Sequence, residues 1–338
     1  MNENFIESTL KKEDTTFEVP LRPISLDEFV GQVNIKERLH IYIGAAKKRA
    51  DSLGHMLLSG PPGLGKTTLA NIIAKTMNTN IVVTSGPVIE KPGDLAGVLT
   101  SLKDGDILFI DEIHRLNKTI EEYLYPAMED FTLDLLIDSG PNARGVSVKL
   151  NKFTLIGATT RSGLLSSPLR SRFSFNARLD YYDYKDLEKI LTRSAKILNV
   201  KIDKDGSTTI AKRSRGTPRI ANNLLKWVRD YIQMKNKNII DKDIANLALK
   251  MLSIDEMGLD EMDKKIINVI IDHFSGGPVG VKTIGVAIGE EPTTLEEVYE
   301  PYLIMLGFLK RTPKGRKVTK IAYEHMGKIF PTNVGELK

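Results

Sequence analysis

Short apolar runs alternate with stretches of helical spacing through the first half of the chain. His55-Met-Leu-Leu-Ser59, Ile81-Val-Val-Thr84, Asp106-Ile-Leu-Phe-Ile110 and Phe153-Thr-Leu-Ile-Gly157 are strand-length and apolar on both faces, the pattern of buried parallel strands separated by helices. One segment breaks the alternation. Thr132-Leu-Asp-Leu-Leu-Ile137 and Val146-Ser-Val-Lys-Leu150 flank Gly140-Pro-Asn-Ala-Arg-Gly145, which predicts an inserted β-hairpin. From about Asp183 the strand pattern stops, and segments beginning at Tyr184, Asp205, Pro218 and Asp241 have helical spacing, predicting a small all-α domain that ends near Ser253. From about Leu259 the pattern changes again. A helix over Asp263 to Phe274, a Gly276-Gly-Pro turn, a helix from Lys282 and a third over Leu295 to Leu306 precede a hairpin of Gly307-Phe-Leu-Lys-Arg311 and Lys317-Val-Thr319, the order of a winged helix-turn-helix. The predicted domains are 1–182 (α/β, parallel sheet with the inserted hairpin), 183–253 (all-α) and 256–338 (winged helix), after a leader that runs to about Phe17.

Composition changes this picture little. The chain has 338 residues, 41% hydrophobic and 27% charged, enough for two or three separate cores. Lys and Arg outnumber Asp and Glu by 48 to 43, and the sequence pI is near 9.0, an excess that attracts a polyanion weakly and names no partner. The absence of cysteine excludes thiol catalysis, disulfides, iron–sulfur clusters and thiolate zinc sites. Met1 to Pro20 lacks a basic stretch followed by an apolar one, and no segment approaches ~18 uninterrupted apolar residues. A cytoplasmic protein with no membrane segment is expected.

The chemistry begins at Gly60-Pro-Pro-Gly63-Leu-Gly65-Lys66-Thr67, a phosphate-loop pattern with an apolar run before it and a helical stretch, Thr67 to Met77, after it. Its glycines let backbone N–H groups converge on a triphosphate at a helix N-terminus. Lys66 places a point charge on the β- and γ-phosphates, and the Thr67 hydroxyl can ligate Mg²⁺. Gly63, Gly65, Lys66, Thr67 and Thr68 are therefore the expected nucleotide contacts. A second motif, Ile107-Leu-Phe-Ile110-Asp111-Glu112, is an apolar strand ending in two acids. There Asp111 would join the metal shell and Glu112 would polarise the attacking water, so the pair of motifs predicts ATP hydrolysis rather than nucleotide binding alone. His114, two residues on, reads more simply as a polar helix-start residue and is assigned no chemistry.

At Arg22-Pro-Ile-Ser-Leu-Asp-Glu-Phe-Val-Gly-Gln32 the chain resembles the segment that precedes the first strand in AAA+ ATPases, and the resemblance then runs through nearly the whole sequence. Gly157-Ala-Thr-Thr-Arg161 resembles the sensor 1 motif, implying that Thr159, or else Thr160, orients the lytic water. Ser167-Pro-Leu-Arg170-Ser-Arg172-Phe173 resembles the arginine-finger segment, whose guanidinium stabilises charge at a neighbour's γ-phosphate and so implies a homo-oligomeric ring, a hexamer. Arg170 is the first choice for the finger and Arg172 for a nucleotide contact, with their order open. Gly216-Thr-Pro-Arg219 resembles sensor 2, so that Arg219 would bind phosphate from the lid domain.

Ile110-Asp-Glu-Ile-His-Arg115, Pro126-Ala-Met-Glu-Asp-Phe131, the hairpin, Ser167-Pro-Leu-Arg170 and the winged helix, in that order, are similar to the RuvB family of Holliday junction branch-migration ATPases. That likeness implies that Leu21, Arg22 and Tyr182 border the adenine, that Glu129, Asp130 and Phe131 lie at or near a nucleotide interface, and that the process served is DNA recombination and repair in the SOS response. It also implies that the 132–150 hairpin docks a RuvA-type junction-binding partner through Leu135, Leu136, Ile137 and Val146. The other reading is a hairpin packed on its own domain, which apolar alternation does not distinguish.

The wing carries six basic residues between Lys310 and Lys320 and no acid, suited to phosphates. The family likeness points to Arg311 and Arg316 as DNA contacts. Glu296, Glu297 and Glu300 in the third helix would oppose entry into a major groove, so contact with junction and duplex DNA is expected through the backbone, independent of sequence. The rival is an origin-binding or loader AAA+ protein, which shares the architecture and uses ATP as a DNA-binding switch.

Overall fold

Strand-length apolar runs form a parallel sheet when both faces can be covered, and five such runs do so here. β1 (Met56–Ser59), β2 (Ile81–Ser85), β3 (Ile107–Asp111), β6 (Thr154–Thr159) and β7 (Phe175–Arg178) are hydrogen-bonded in the order β2-β3-β6-β1-β7. The structure, a computed structural model, describes residues 19–136 and 145–331, which fall in two compact units, within Thr16–Ile190 and within Leu191–Lys338. The sheet belongs to the first. Leu57, Leu108, Ile110 and Leu155 meet Leu95 and Leu99 of α3 (Pro92–Ser101) and Ile120 and Leu124 of α4 (Lys118–Glu129) in one core. The alternating Met56, Leu58, Phe109 and Ile156 are equally buried. On β3 and β6 lies α2 (Lys66–Met77), which also contacts α1 (Val33–Arg49). Each fully buried Leu or Ile contributes roughly 1.5–3 kcal/mol, which is how such short strands are held.

Four of these strands follow the apolar runs. The fifth, β7, has the pattern buried-exposed-buried-exposed in Phe-Asn-Ala-Arg and carries only two apolar residues, so composition does not mark it. The hairpin pairs β4 (Thr132–Leu136) with β5 (Gly145–Lys149) in antiparallel register. Its tip, including Ile137 and the Gly140-Pro-Asn-Ala part of the turn, lies outside the described residues. A short α5 (Ser167–Ser171) completes the unit's helices between β6 and β7, its start capped by the Ser166 hydroxyl, which accepts from Leu169 N.

His55, just before β1, joins three elements. Its Nδ1 accepts the Leu155 N–H of β6 (2.9 Å), so Nε2 carries the proton and donates to the Met128 carbonyl of α4 (2.9 Å). Burial lowers its pKa below 6.5, opposed by the bond to Met128.

In the second unit the helices are α6 (Tyr184–Ile197), which begins before it, α7 (Lys204–Arg213), α8 (Pro218–Met234) and α9 (Lys242–Met251). Asp203 and Asp241 cap α7 and α9 through bonds from Gly206 N and Ile244 N (2.7 and 2.8 Å). The expectation of an all-α segment is corrected in one respect. Lys201–Ile202 (β8) and Ile239–Ile240 (β9) pair in parallel, two residues each and too short for alternation to reveal.

The winged-helix segment follows with α10 (Glu261–Phe274) and α11 (Val281–Ile288). The predicted third helix is continuous but not uniform. It runs through α12 (Pro292–Thr294), a π-helical turn Leu295–Tyr299 and α13 (Glu300–Met305), the π turn lying just before Pro301, which has no N–H to give the α-helical ladder. The wing pairs β10 (Leu309–Thr312) with β11 (Gly315–Val318), bridged to Val279, and α14 (Lys320–His325) closes the segment. Gly315, at φ +133°, is required there because a Cβ would stand 2.5 Å from the Val279 carbonyl oxygen. Among the described residues no helix is long and apolar enough to cross a membrane.

Arg215, between α7 and α8, is 3% exposed and reaches the start of α10. Its guanidinium pairs with Asp263 and with Asp260 (3.3 Å), its Nε donates to the Gly258 carbonyl (2.9 Å), and its face lies 4.9 Å from the centre of the Tyr302 ring. Asp260 and Asp263 cap α10 reciprocally. Burial pushes the Asp263 carboxyl up from the usual carboxylate range, against the pull of Arg215.

Two outcomes are expected. Arg215→Met strands the two buried carboxylates and is expected to lower stability by about 3–5 kcal/mol in urea unfolding. For His55, the unfolded ring titrates at the higher pKa, so its contribution is full above 6.5 and is lost as pH falls through that value toward the lowered one. Thermal unfolding scans from pH 7.5 to 5.0 are expected to show a decline that His55→Gln reduces.

Candidate functional site

Where β1 ends, the chain turns through three left-handed glycines, Gly60 (φ +137°), Gly63 (φ +76°) and Gly65 (φ +99°), into α2. A Cβ on Gly60 would stand 2.4 Å from the Leu179 carbonyl oxygen, so close approach as well as φ demands glycine. Lys66 is buried, and its Nζ donates to the carbonyls of Gly60 and Pro61 (2.9 Å each), which holds the ammonium at the loop. The loop and the N-terminus of α2 together direct backbone N–H groups and a cation to one place, an arrangement that binds phosphate.

The sheet brings the other predicted residues to this edge. Gly60 N–H donates to the Thr159 carbonyl (3.1 Å), and Ser59 is in register with Thr159. β6 therefore lies directly between β1 and β3, and Thr159 sits between the phosphate loop and the acids Asp111 and Glu112. Asp111 Oδ1 accepts the Glu112 N–H (2.9 Å). Glu112 adopts a left-handed backbone (φ +48°) that ends the strand and starts the short 3₁₀ turn Ile113–Arg115. Gly86, after β2, comes so close that a Cβ would be 2.5 Å from the Glu112 carbonyl oxygen.

His114, which sequence reasoning set aside, is part of this cluster. Its Nδ1 is 2.9 Å from Thr159 Oγ1 and its Nε2 is 3.4 Å from Glu112 Oε2, while Thr160 Oγ1 contacts the same carboxylate oxygen at 3.4 Å. Its position three residues after Asp111 was the only signal in the sequence, and a 3₁₀ turn is what folds it back over the acids.

Leu21 is buried in the turn Val19–Leu21, and Arg22 is half-buried after it. Tyr182, also buried, donates to the Leu64 carbonyl (3.2 Å) and closes on Gly31, where a Cβ would meet its ring at 2.8 Å. Burial raises the Tyr182 hydroxyl pKa far above its ordinary value. Gln32 ties the same segment to Asp180 through its side-chain amide (2.6 Å).

The two arginines of the α5 region differ. Arg170 is exposed, with Nη2 on the Ser162 carbonyl (2.5 Å). Arg172 is braced by Glu129 (3.1 Å), by the Pro168 carbonyl (2.7 Å) and by the Tyr125 ring, 4.4 Å from its guanidinium. Asp130 is exposed. The Phe131 ring packs with His55 and Phe153. Arg219 is the second residue of α8, in the other unit.

In the wing, Glu300 is 2% exposed and takes Arg311 Nε (2.7 Å) and Arg316 Nε (2.7 Å), while Glu296 takes Arg316 Nη2 (2.5 Å). Two of the three acids of the third helix are thus paired with the wing's own arginines, Glu300 buried and Glu296 partly exposed. The Arg311 side chain remains half exposed and that of Arg316 is 15% exposed, with Lys310 and Lys314 exposed beside them.

Residues 21–179 match the family model described as the P-loop domain of the Holliday junction DNA helicase RuvB, residues 182–255 the RuvB AAA lid domain, and residues 256–327 the RuvB C-terminal winged helix domain. A Protochlamydia amoebophila protein named Holliday junction branch migration complex subunit RuvB is 67% identical over 326 residues, covering 96% of this chain and 98% of its own. The Chlamydia pneumoniae protein of the same name is 57% identical over 314 residues, covering 93% of each. The solved Thermotoga maritima RuvB Holliday junction branch migration motor is 54% identical with a TM-score of 0.84, covering 92% of this chain and 100% of its own.

Gly60→Ala is expected to cost about 1–3 kcal/mol of backbone strain and to abolish ATP binding measured by calorimetry. Gly97→Ala, in α3 with open space around it, is expected to keep both stability and binding.

Proposed function

The chain belongs to the RuvB family of Holliday junction branch-migration ATPases, and from that premise we propose which of its residues bind ATP, hydrolyse it and hold DNA. Its activity is ATP-driven branch migration of Holliday junctions, and matches to family models along 21–327 set aside an origin-binding or loader protein. The working division is a P-loop domain 1–182, a lid 183–253 and a winged-helix head 256–338.

The observation that carries the site assignment is Thr159 standing between the phosphate loop and the acids of β3. The N–H groups of Gly63 through Thr68 and the Lys66 ammonium bind the triphosphate, and Leu21, Arg22 and Tyr182 border the adenine. Thr67 and Asp111 offer a hydroxyl and a carboxylate, hard oxygen donors that fit Mg²⁺ held mainly by phosphate and water. Bound there, Mg²⁺ would offset charge on the phosphates. Glu112 takes the proton of the attacking water and Thr159 orients that water.

A neighbouring subunit lends Arg170 or Arg172 to the γ-phosphate, so the working form is a ring, a hexamer. Exposure supports Arg170, and the bracing of Arg172 by Glu129 and Tyr125 supports a pre-ordered guanidinium at the same interface, with Asp130 and Phe131 close by in sequence. Arg219 links the lid to nucleotide state.

The hairpin docks a RuvA-type partner. Leu133 is buried in the domain's own core while Val146 is 40% exposed, which divides the hairpin into a packed base and an outward surface. The wing contacts junction and duplex DNA along the phosphate backbone through Arg311 and Arg316, with Lys310 and Lys314 adding charge outside the Glu300 pairing.

The test is ATP-dependent branch migration of a synthetic four-way junction with random-sequence arms, with and without a RuvA-type protein. Strand movement that the partner stimulates and Glu112→Gln abolishes is expected. Undiminished movement by Glu112→Gln would overturn the site assignment.

A further inference from the structure

His114 has no part in the reading above, yet its ring joins two residues that do. Thr159 Oγ1 accepts the Arg161 N–H (3.0 Å) and lies 2.9 Å from His114 Nδ1. The one hydrogen of the Thr159 hydroxyl can be given to Nδ1. A neutral ring whose Nδ1 accepts carries its proton on Nε2. That nitrogen faces Glu112 Oε2 at 3.4 Å. In that tautomer the order of donors is Arg161 N–H to Thr159 hydroxyl, Thr159 hydroxyl to His114 Nδ1, and His114 Nε2–H toward the Glu112 carboxylate.

The frame around the ring is rigid. Ile113 is fully buried against Gly157, where a Cβ would come within 2.9 Å of Ile113 Cδ1, and the turn is closed by Arg115 N–H on the Glu112 carbonyl (2.8 Å). The His114 side chain is 7% exposed and that of Glu112 34%. The carboxylate is thus the more solvated end of the chain of contacts and the histidine the fixed one.

We propose that His114 is a positioning residue for ATP hydrolysis, which carries the hydrogen-bond state of the Thr159 hydroxyl to the Glu112 carboxylate. When the Thr159 hydroxyl turns toward a phosphate oxygen, Nδ1 loses its donor. The ring is then released from the tautomer that directs Nε2–H at Glu112. The orientation of the base follows what Thr159 touches. The proposal rests on the reading of Glu112 as base and Thr159 as sensor.

Steady-state ATPase assays of the full chain with junction DNA test it. His114→Ala is expected to lower kcat about tenfold, with KM for ATP within about twofold and an unchanged thermal unfolding temperature. His114→Gln, which returns an N–H near the position of Nε2, is expected to recover several-fold, and His114→Asn, which reaches only Thr159, is not. Combining His114→Ala with Thr159→Val is expected to be no worse than the poorer single variant, because the two act through one path. A wild-type kcat in His114→Ala beside an inactive Glu112→Gln would overturn the proposal and leave the site reading intact, as would multiplicative losses in the double variant. Full turnover by Glu112→Gln would remove the site reading itself.

Discussion

Everything at the candidate site depends on β6 being inserted between β1 and β3. Parallel strands all end on the same side, so placing these three side by side sets a phosphate loop, the Thr159 hydroxyl and two carboxylates in a row at one edge. The backbone bond from Gly60 N–H to the Thr159 carbonyl fixes that row to within one residue. A slip of β6 by one position would turn Thr159 to the other face of the sheet. The burial that holds the sheet together is therefore also what aligns the chemistry, and this explains why glycine is needed at Gly60, Gly86 and Gly157, where neighbouring backbone or core side chains approach too closely for a Cβ.

In the second unit, buried charge stands beside a hydrophobic core that includes Ile266, Ile267, Ile270, Tyr299 and Leu303. Arg215 precedes α8, the helix that carries Arg219, and it is bound to the two aspartates that cap α10, the first helix of the winged segment. Each ion is costly to bury alone and tolerable together. The same arrangement recurs at the wing, where Glu300 is covered by Arg311 and Arg316. Together these pairs make the path from the start of α8 to the wing one of fixed contacts.

The phosphate loop, the paired acids, four of the five sheet strands and the hairpin were legible in the chain because each depends on local periodicity or on a short motif with its own stereochemistry. Glycines at a loop between strand and helix, and acids at a strand end, announce their positions without reference to distant residues. What stayed hidden were features set by partners far away in the chain. β7 is a strand because β1 offers it an edge, and Glu296 and Glu300 are paired with arginines eleven to twenty residues away. His114 is the clearest case: alone it is a polar residue at a helix start, and only the packing of β6 against β3 brings a threonine to one ring nitrogen and a carboxylate to the other.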